Sequence, residues 1–333
     1  MLKVKNYFTI TLIVSAVIAL CLIVFSHSVN ATILTETINS TKKYEQQRGP
    51  MLSILSTRDV PIFTPGHLTK LVSDTISKFG KTCPPDMAIY IHGFNKSKDD
   101  AGEEFNRMQS ALKFNNSTIT LIGFSWDSKV PWEQAKVNAK NSGAELVKFI
   151  LVFKSICKDT AIHLVAHSLG AAVVESALTN LDTYLNANTI KNAKIIKSVN
   201  LLGAAITNLS ITKGTPLGDA IKNVVEKFYN LYSSQDDGLQ FNKFFENHNP
   251  LGLAGAPNGI IPFNYDDINV TNEIPALSDA DGDGNIEECF EEYSPVLVEG
   301  DNHCGYIGFR QPFSNSLLND SAINVVVQGW RSD

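Results

Sequence analysis

Between residues 87 and 233, short apolar runs alternate with stretches of helical periodicity, and this alternation restricts the chain to few folds. Met87 to Ile91, Ile119 to Phe124, Ala161 to Ala166, Ile195 to Leu202 and Tyr229 to Ser233 read as strands. Helices are expected between them over Asp99 to Leu112, Trp132 to Phe153, Leu169 to about Leu181, and Leu217 to Phe228. In the longest, Ala135, Ala139, Leu146, Ile150 and Phe153 recur at helical spacing, which gives it one apolar face. Strands linked by helices must run parallel, with right-handed crossovers that cover both faces of the sheet. The expected architecture is therefore α/β, a doubly wound and mostly parallel sheet whose ligands sit at the carboxyl ends of its strands.

What flanks this body is different in kind. Tyr7 to Phe25 is an apolar run without a charge, preceded by Lys3 and Lys5 and followed by Ser28-Val29-Asn30-Ala31. Residues 1–31 thus read as an export segment, either a cleaved signal peptide or a retained membrane anchor. Residues 32–50 are polar and unpatterned, a linker to a folded domain over 51–333. Residues 240–300, rich in Asn, Pro, Gly and Asp, break the alternation and read as an insertion. Export places the chain at the cell surface or outside it. Without residues 1–31 there remain 26 basic against 34 acidic side chains, a formal charge of −8 that argues against nucleic acid as a partner. The four cysteines beyond the apolar run, Cys83, Cys157, Cys289 and Cys304, are an even number suited to an oxidising compartment. Three pairings are possible; Cys83 and Cys157 each precede a strand expected to be adjacent to the other, which favours Cys83 with Cys157 and leaves Cys289 for Cys304. Sequons at Asn39, Asn115, Asn116, Asn208, Asn269 and Asn319 would be usable there.

The chemistry centres on Val165-Ala166-His167-Ser168-Leu169-Gly170-Ala171, where an apolar strand gives way to a helix. A serine on so sharp a turn has its hydroxyl exposed above the sheet, and small residues at Ala166 and Gly170 allow the close packing this needs. The Leu169 N–H and the helix N-terminus can then stabilise an oxyanion. The plainer reading is a serine that caps a helix. At the end of an earlier strand stands Ile91-His92-Gly93-Phe94, where Gly93 lets the Phe94 N–H face the same point and His92 is structural or shapes the pocket. Phe124 and Trp126 in GFSWDS are core residues or pocket lining. The apolar pieces Phe244-Phe245, Leu251-Gly252-Leu253 and Ile260-Ile261-Pro262-Phe263 are lid and acyl pocket or ordinary packing.

Together, MAIYIHGFNKSKDDAGEEF, LIGFSWDSKV and AIHLVAHSLGAAVVESAL resemble the α/β-hydrolase superfamily, in a branch with an IHGFN, FSW.S and AHSLG pattern. The resemblance covers about 95 residues closely and extends more loosely to about Ile307. It implies the α/β-hydrolase fold, Ser168 as nucleophile, and Phe94 and Leu169 as oxyanion donors. Ala166 stands where the usual motif has glycine. In this fold the acid and then the base follow the serine along the chain. That order excludes His67, His92 and His163, and position favours His303, in Glu299-Gly300-Asp301-Asn302-His303, over His248 in the insertion. Asp236 or Asp237 could serve as the acid, and similarity to the family's N.YS..D pattern places it at Asp236.

A second candidate site lies inside the insertion. Asp279, Asp281, Asp283, Asn285 and Glu287 offer oxygen ligands at alternate positions, with Gly284 at the sixth place and Ile286 at the eighth, as in a calcium loop over 279–291. The twelfth position is Phe290, so Glu291 or Glu288 would have to supply the last carboxylate; the alternative is a solvated acidic turn. The expected function is an exported esterase- or lipase-like serine hydrolase that takes a small-molecule or lipid acyl substrate and needs no cofactor for catalysis. Amidase or thioesterase chemistry would use the same residues. A catalytically idle, calcium-binding surface module is the competing class.

Overall fold

The computed structural model describes residues 55–58, 63–80, 82–190, 193–259, 261–274, 302–308 and 322–332. The predicted export segment, the linker and the acidic loop 279–291 lie outside these. Among the described residues no helix is long and apolar enough to cross a membrane.

The elements in chain order are β1 (Leu55–Ser56), α1 (Pro65–Lys78), β2 (Asp86–Ile91), α2 (Lys98–Phe114), β3 (Thr120–Ser125), α3 (Trp132–Ile156), β4 (Ala161–His167), α4 (Gly170–Ala187), β5 (Ile196–Leu202), α5 (Pro216–Val224), β6 (Val225–Tyr232), α6 (Asp237–Glu246), α7 (Leu251–Ala254), β7 (Tyr265–Asn269) and α8 (Ile323–Ser332). The strands form one parallel sheet in the order β1-β3-β2-β4-β5-β6-β7. Its direction of growth reverses between β2 and β4. Such a switch point opens a crevice at the carboxyl ends of the two strands.

Strand periodicity divides the core in two. Met87, Ile89 and Ile91 of β2 face one apolar layer together with the inner faces of α3, α4 and α5. Ala88 and Tyr90 face the other, beside Phe105 and Met108 of α2 and Val326 and Val327 of α8. The capping box that starts α2 pairs Ser97 and Asp100: the Asp100 N–H donates to Ser97 Oγ (3.2 Å), and the Ser97 N–H to Asp100 Oδ2 (2.7 Å). Cys83, ahead of β2, is disulfide-bonded to Cys157, ahead of β4, with 5.4 Å between the Cα atoms. Cys304 is also disulfide-bonded, and its expected partner Cys289 lies outside the described residues.

Three expectations need correction. The helix expected to run to Phe228 stops at Val224, because Val225 pairs with Ile196 and Lys227 with Ser198, extending β6 backwards. The described part of the expected insertion is built into the fold: it carries α6, α7 and β7, which pairs with β6 from Phe228↔Tyr265 to Tyr232↔Asn269. Asn208 is buried and donates its side-chain amide to the Gly255 carbonyl (3.2 Å), which removes it from the accessible sequons.

Candidate active site

The site is assembled where β4, β2, β5 and β6 end. Ser168 follows β4 directly and adopts φ 54°, a left-handed conformation that a non-glycine residue reaches only when its surroundings enforce it. Its N–H donates to the Leu202 carbonyl (3.0 Å), and its carbonyl accepts from the Ala205 N–H (3.1 Å), so both flanks of the turn are bound to the end of β5. A Cβ at Gly170 would stand 2.7 Å from the carbonyl oxygens of Ile91 and His92, and one at Gly93 would stand 2.9 Å from Ser168 Cβ. Both glycines are therefore conditions for β2 and the serine turn to meet. The N–H groups of Phe94 and Leu169 and the hydroxyl of Ser168 make no hydrogen bond to any described residue. The arrangement thus presents two undirected backbone donors, one from each side of the switch point, beside a serine hydroxyl.

The Phe94 loop is held from behind. The Trp126 indole N–H donates to the His92 carbonyl (2.8 Å), and the Trp126 backbone N–H donates to His92 Nε2 (3.1 Å). Since Nε2 accepts, the ring proton sits on Nδ1, 2.9 Å from the Gly93 carbonyl. Burial is the main force on this imidazole and pushes its pKa down to about 4, with Arg58 and Lys96 adding to the effect against the opposing charge of Glu104. His92 is accordingly a neutral, structural histidine. Trp126 and Phe124 are buried core residues, and Trp126 holds this loop through its two hydrogen bonds to His92.

Asp236 closes β6 and caps α6. Its buried carboxylate accepts from the Leu239 N–H (2.8 Å), from Tyr306 Oη (3.0 Å), and from His303 Nδ1 through Oδ1 (3.0 Å) and Oδ2 (2.8 Å). His303 belongs to a 3-10 helix, Asn302–Ile307. Asn302 secures that helix to the Asp236 loop: its Nδ2 donates to the Gln235 carbonyl (2.7 Å), and its Oδ1 accepts from the Asp237 N–H (3.0 Å). The structure thus brings His303 to Asp236 and leaves the Asp237 side chain out of this contact. His248 lies elsewhere, 3.8 Å from Glu246; His67 packs on Phe63; His163 bonds Ser198 Oγ (2.7 Å) inside the core.

Sequence reasoning missed several members. Gly203, at φ 57°, sits where a Cβ would meet the Tyr306 ring at 2.5 Å and Asp236 Oδ2 at 3.2 Å, so only glycine fits. Tyr306 and Asn302 were visible only as neighbours of His303. Beneath the serine lies a buried polar cluster of Glu104, Lys96, Tyr90 and His167. Tyr90 Oη donates to Glu104 Oε1, Lys96 Nζ stands 3.4 Å from Glu104 Oε2, and His167 Nδ1 is 3.1 Å from Glu104 Oε1. Burial alone would raise the Glu104 pKa, but the Lys96 charge and the His167 contact outweigh it and hold the group well below the usual carboxylate range.

The described part of the apolar stretches divides. Leu251 and Leu253 are core, and a Cβ at Gly252 would collide with the Ala204 nitrogen at 2.1 Å; Phe244, Phe245 and Phe263 are exposed. Among the described residues no group of three or more His, Cys, Asp or Glu side chains is arranged to hold a metal ion. Asp279, Asp281, Asp283, Asn285, Glu287 and Glu291 lie outside them.

The family model described as "Alpha/beta hydrolase of unknown function (DUF900)" matches residues 70–252, more than half of the chain. The chain is an α/β hydrolase of this family. The parallel sheet, the helices on both of its faces and the serine turn after β4 are the α/β-hydrolase fold. No curated protein matches it by sequence. Solved structures similar to this α/β hydrolase include a Trichoderma reesei cutinase in complex with a C11Y4 phosphonate inhibitor, at 21% identity over 51% of this chain and 78% of that one, TM-score 0.28. An acetyl xylan esterase is 13% identical over 56% of this chain and 83% of its own, TM-score 0.32. A cutinase-like protein from Cryptococcus sp. is 16% identical over 56% and 76%, TM-score 0.29. Likeness at these scores carries no weight for activity or substrate.

Proposed function

We propose that this α/β hydrolase is an exported serine esterase in which Ser168 is the nucleophile, His303 the base and Asp236 the acid that orients the base. The observation that carries the reading is the fully buried Asp236 carboxylate bonded to His303 Nδ1 at 2.8 Å, in a fold that holds Ser168 at φ 54° on the turn after β4. Nδ1 must donate to a carboxylate, so Nε2 is the nitrogen left to accept a proton. His303 Nε2 takes the proton from Ser168 Oγ as that oxygen bonds to the acyl carbon. The negative charge that develops on the former carbonyl oxygen is met by the Phe94 and Leu169 N–H groups. Collapse expels the alcohol, which receives the proton from His303, and leaves an acyl-Ser168 ester. Water, deprotonated by the same imidazole, then attacks this ester and releases the carboxylic acid.

Esters are the preferred substrates because they are the least demanding acyl donors, and the acyl group comes from a small molecule or a lipid. Residues 1–31 direct the chain out of the cytoplasm, and the acidic loop 279–291 binds structural calcium. A chelator that leaves the melting temperature of the intact protein unchanged would remove the calcium role.

The test is turnover of a panel of short- and long-chain p-nitrophenyl esters. Replacing Ser168 with alanine should cost about 10³-fold or more in kcat with the melting temperature unchanged. A folded protein that hydrolyses none of these esters would favour the idle surface module, and hydrolysis of amides or thioesters alone would reassign the substrate class.

A further inference from the structure

Glu104 and Lys96 are charged groups buried at 3% and 7% exposure, and the proposed reaction assigns them nothing. Burying a carboxylate is costly unless its partners are fixed. Here one of those partners, His167, leads to the base. His167 Nε2 lies 2.9 Å from the main-chain carbonyl of His303, and the two rings lie 4.8 Å apart. A carbonyl oxygen only accepts, so Nε2 donates to it, while Nδ1 faces the carboxylate of Glu104 at 3.1 Å. His167 is also the residue immediately before Ser168. One side chain therefore connects the nucleophile's turn to the backbone of the base, across 136 positions of sequence.

We propose that His167, held by Glu104, is a positioning residue that fixes the main chain of His303 so that its imidazole meets Ser168. The role rests on the reading of His303 as base. Asp236 fixes the imidazole's orientation, while His167 fixes the location of the residue that carries it. A displacement of about 1 Å in such a base costs on the order of 100-fold in rate, although the group touches no substrate.

Two substitutions separate positioning from space-filling. In H167Q the amide nitrogen can occupy the place of Nε2 and still donate to the His303 carbonyl. In H167N the amide reaches only as far as Nδ1, keeping contact with Glu104 and losing the carbonyl. With a p-nitrophenyl ester, H167N should lower kcat about 10- to 100-fold with KM changed less than about twofold, and H167Q should stay within about threefold of the unaltered protein. E104Q should lower kcat several-fold alone and add nothing to H167N, because it acts through His167. Equal activity of H167N and H167Q, or additive losses in the double variant, would overturn the proposal. Should H167N not fold, E104Q carries the test, and an unchanged kcat there overturns it. If the unaltered protein neither turns over esters nor reacts with a fluorophosphonate, the esterase reading fails and the positioning role falls with it. An active parent with indifferent variants refutes the positioning role alone.

Discussion

His92 ties the stability of the Phe94 loop to pH in a way that can be worked out in advance. Its pKa falls from 6.5 in the unfolded chain to about 4 in the fold, chiefly through burial. A histidine whose folded pKa is depressed stabilises the fold above its unfolded value and loses that contribution as pH falls toward the folded one. The window is therefore pH 6.5 down to about 4, and the full difference is worth about 3 kcal/mol at ~1.4 kcal/mol per tenfold. By about pH 5 the unfolded imidazole is almost wholly protonated and the folded one is not, so about 2 kcal/mol is already gone. In His92→Gln, the glutamine oxygen can accept from the Trp126 N–H in place of Nε2, and nothing at that position titrates. Urea unfolding of both proteins at about pH 7.5 and about pH 5 gives four free energies, from which every other titrating group cancels. The parent should be the more stable at the higher pH, and its advantage should shrink by about 2 kcal/mol at the lower. An advantage that is the same at both pH values would refute the claim that the fold holds His92 neutral.

Other consequences follow from the same geometry. Asp236→Asn keeps the cap on Leu239 but offers His303 an ambiguous partner, so kcat for esters should fall about 10³- to 10⁴-fold with little change in melting temperature. Gly170→Ala drives a methyl group to 2.7 Å from two backbone carbonyls and should cost about 1–3 kcal/mol in urea unfolding; a neutral effect would mean that β2 and the serine turn are less closely packed than the structure has them. Replacing Cys83 and Cys157 together by serine opens a cross-link of sequence separation 74 and should lower stability by about 4 kcal/mol, read as a shift in the unfolding midpoint.

Sheet and serine turn were legible in the sequence because their signals are local. β2 and β4 are apolar runs that stop at His92 and Ser168, and α3 repeats its buried positions over 25 residues. The boundary of α5 was hidden because Val224 and Val225 suit either state, and only pairing with β5 decides that Val225 begins a strand. β7, Tyr-Asp-Asp-Ile-Asn, carries two exposed aspartates at the edge of the sheet and has no apolar run to announce it. In α8, Asn324-Val325-Val326-Val327 has poor helix formers, and the burial of Val326 and Val327 overrides that preference. Within the site, chain order and family pattern single out Asp236 and His303, whose side chains the structure brings to 2.8 Å of one another. They do not single out Glu104, since beside Glu103 it reads as one of two surface carboxylates until Tyr90, Lys96 and His167 are seen around it. Gly203 was equally silent: it stands at a positive φ, and the space a Cβ would need is filled by the ring of Tyr306, 103 positions away.

The account stands on Ser168 being an activated nucleophile. Incubating the protein with a fluorophosphonate, digesting it and locating the adduct by mass spectrometry tests that without any assumption about substrate. One phosphonyl group on the peptide that carries Ser168, absent from a folded Ser168→Ala protein and formed far more slowly in Asp236→Asn, is the predicted result. A folded protein that takes up no phosphonyl group, or takes it up at another residue, would contradict the account.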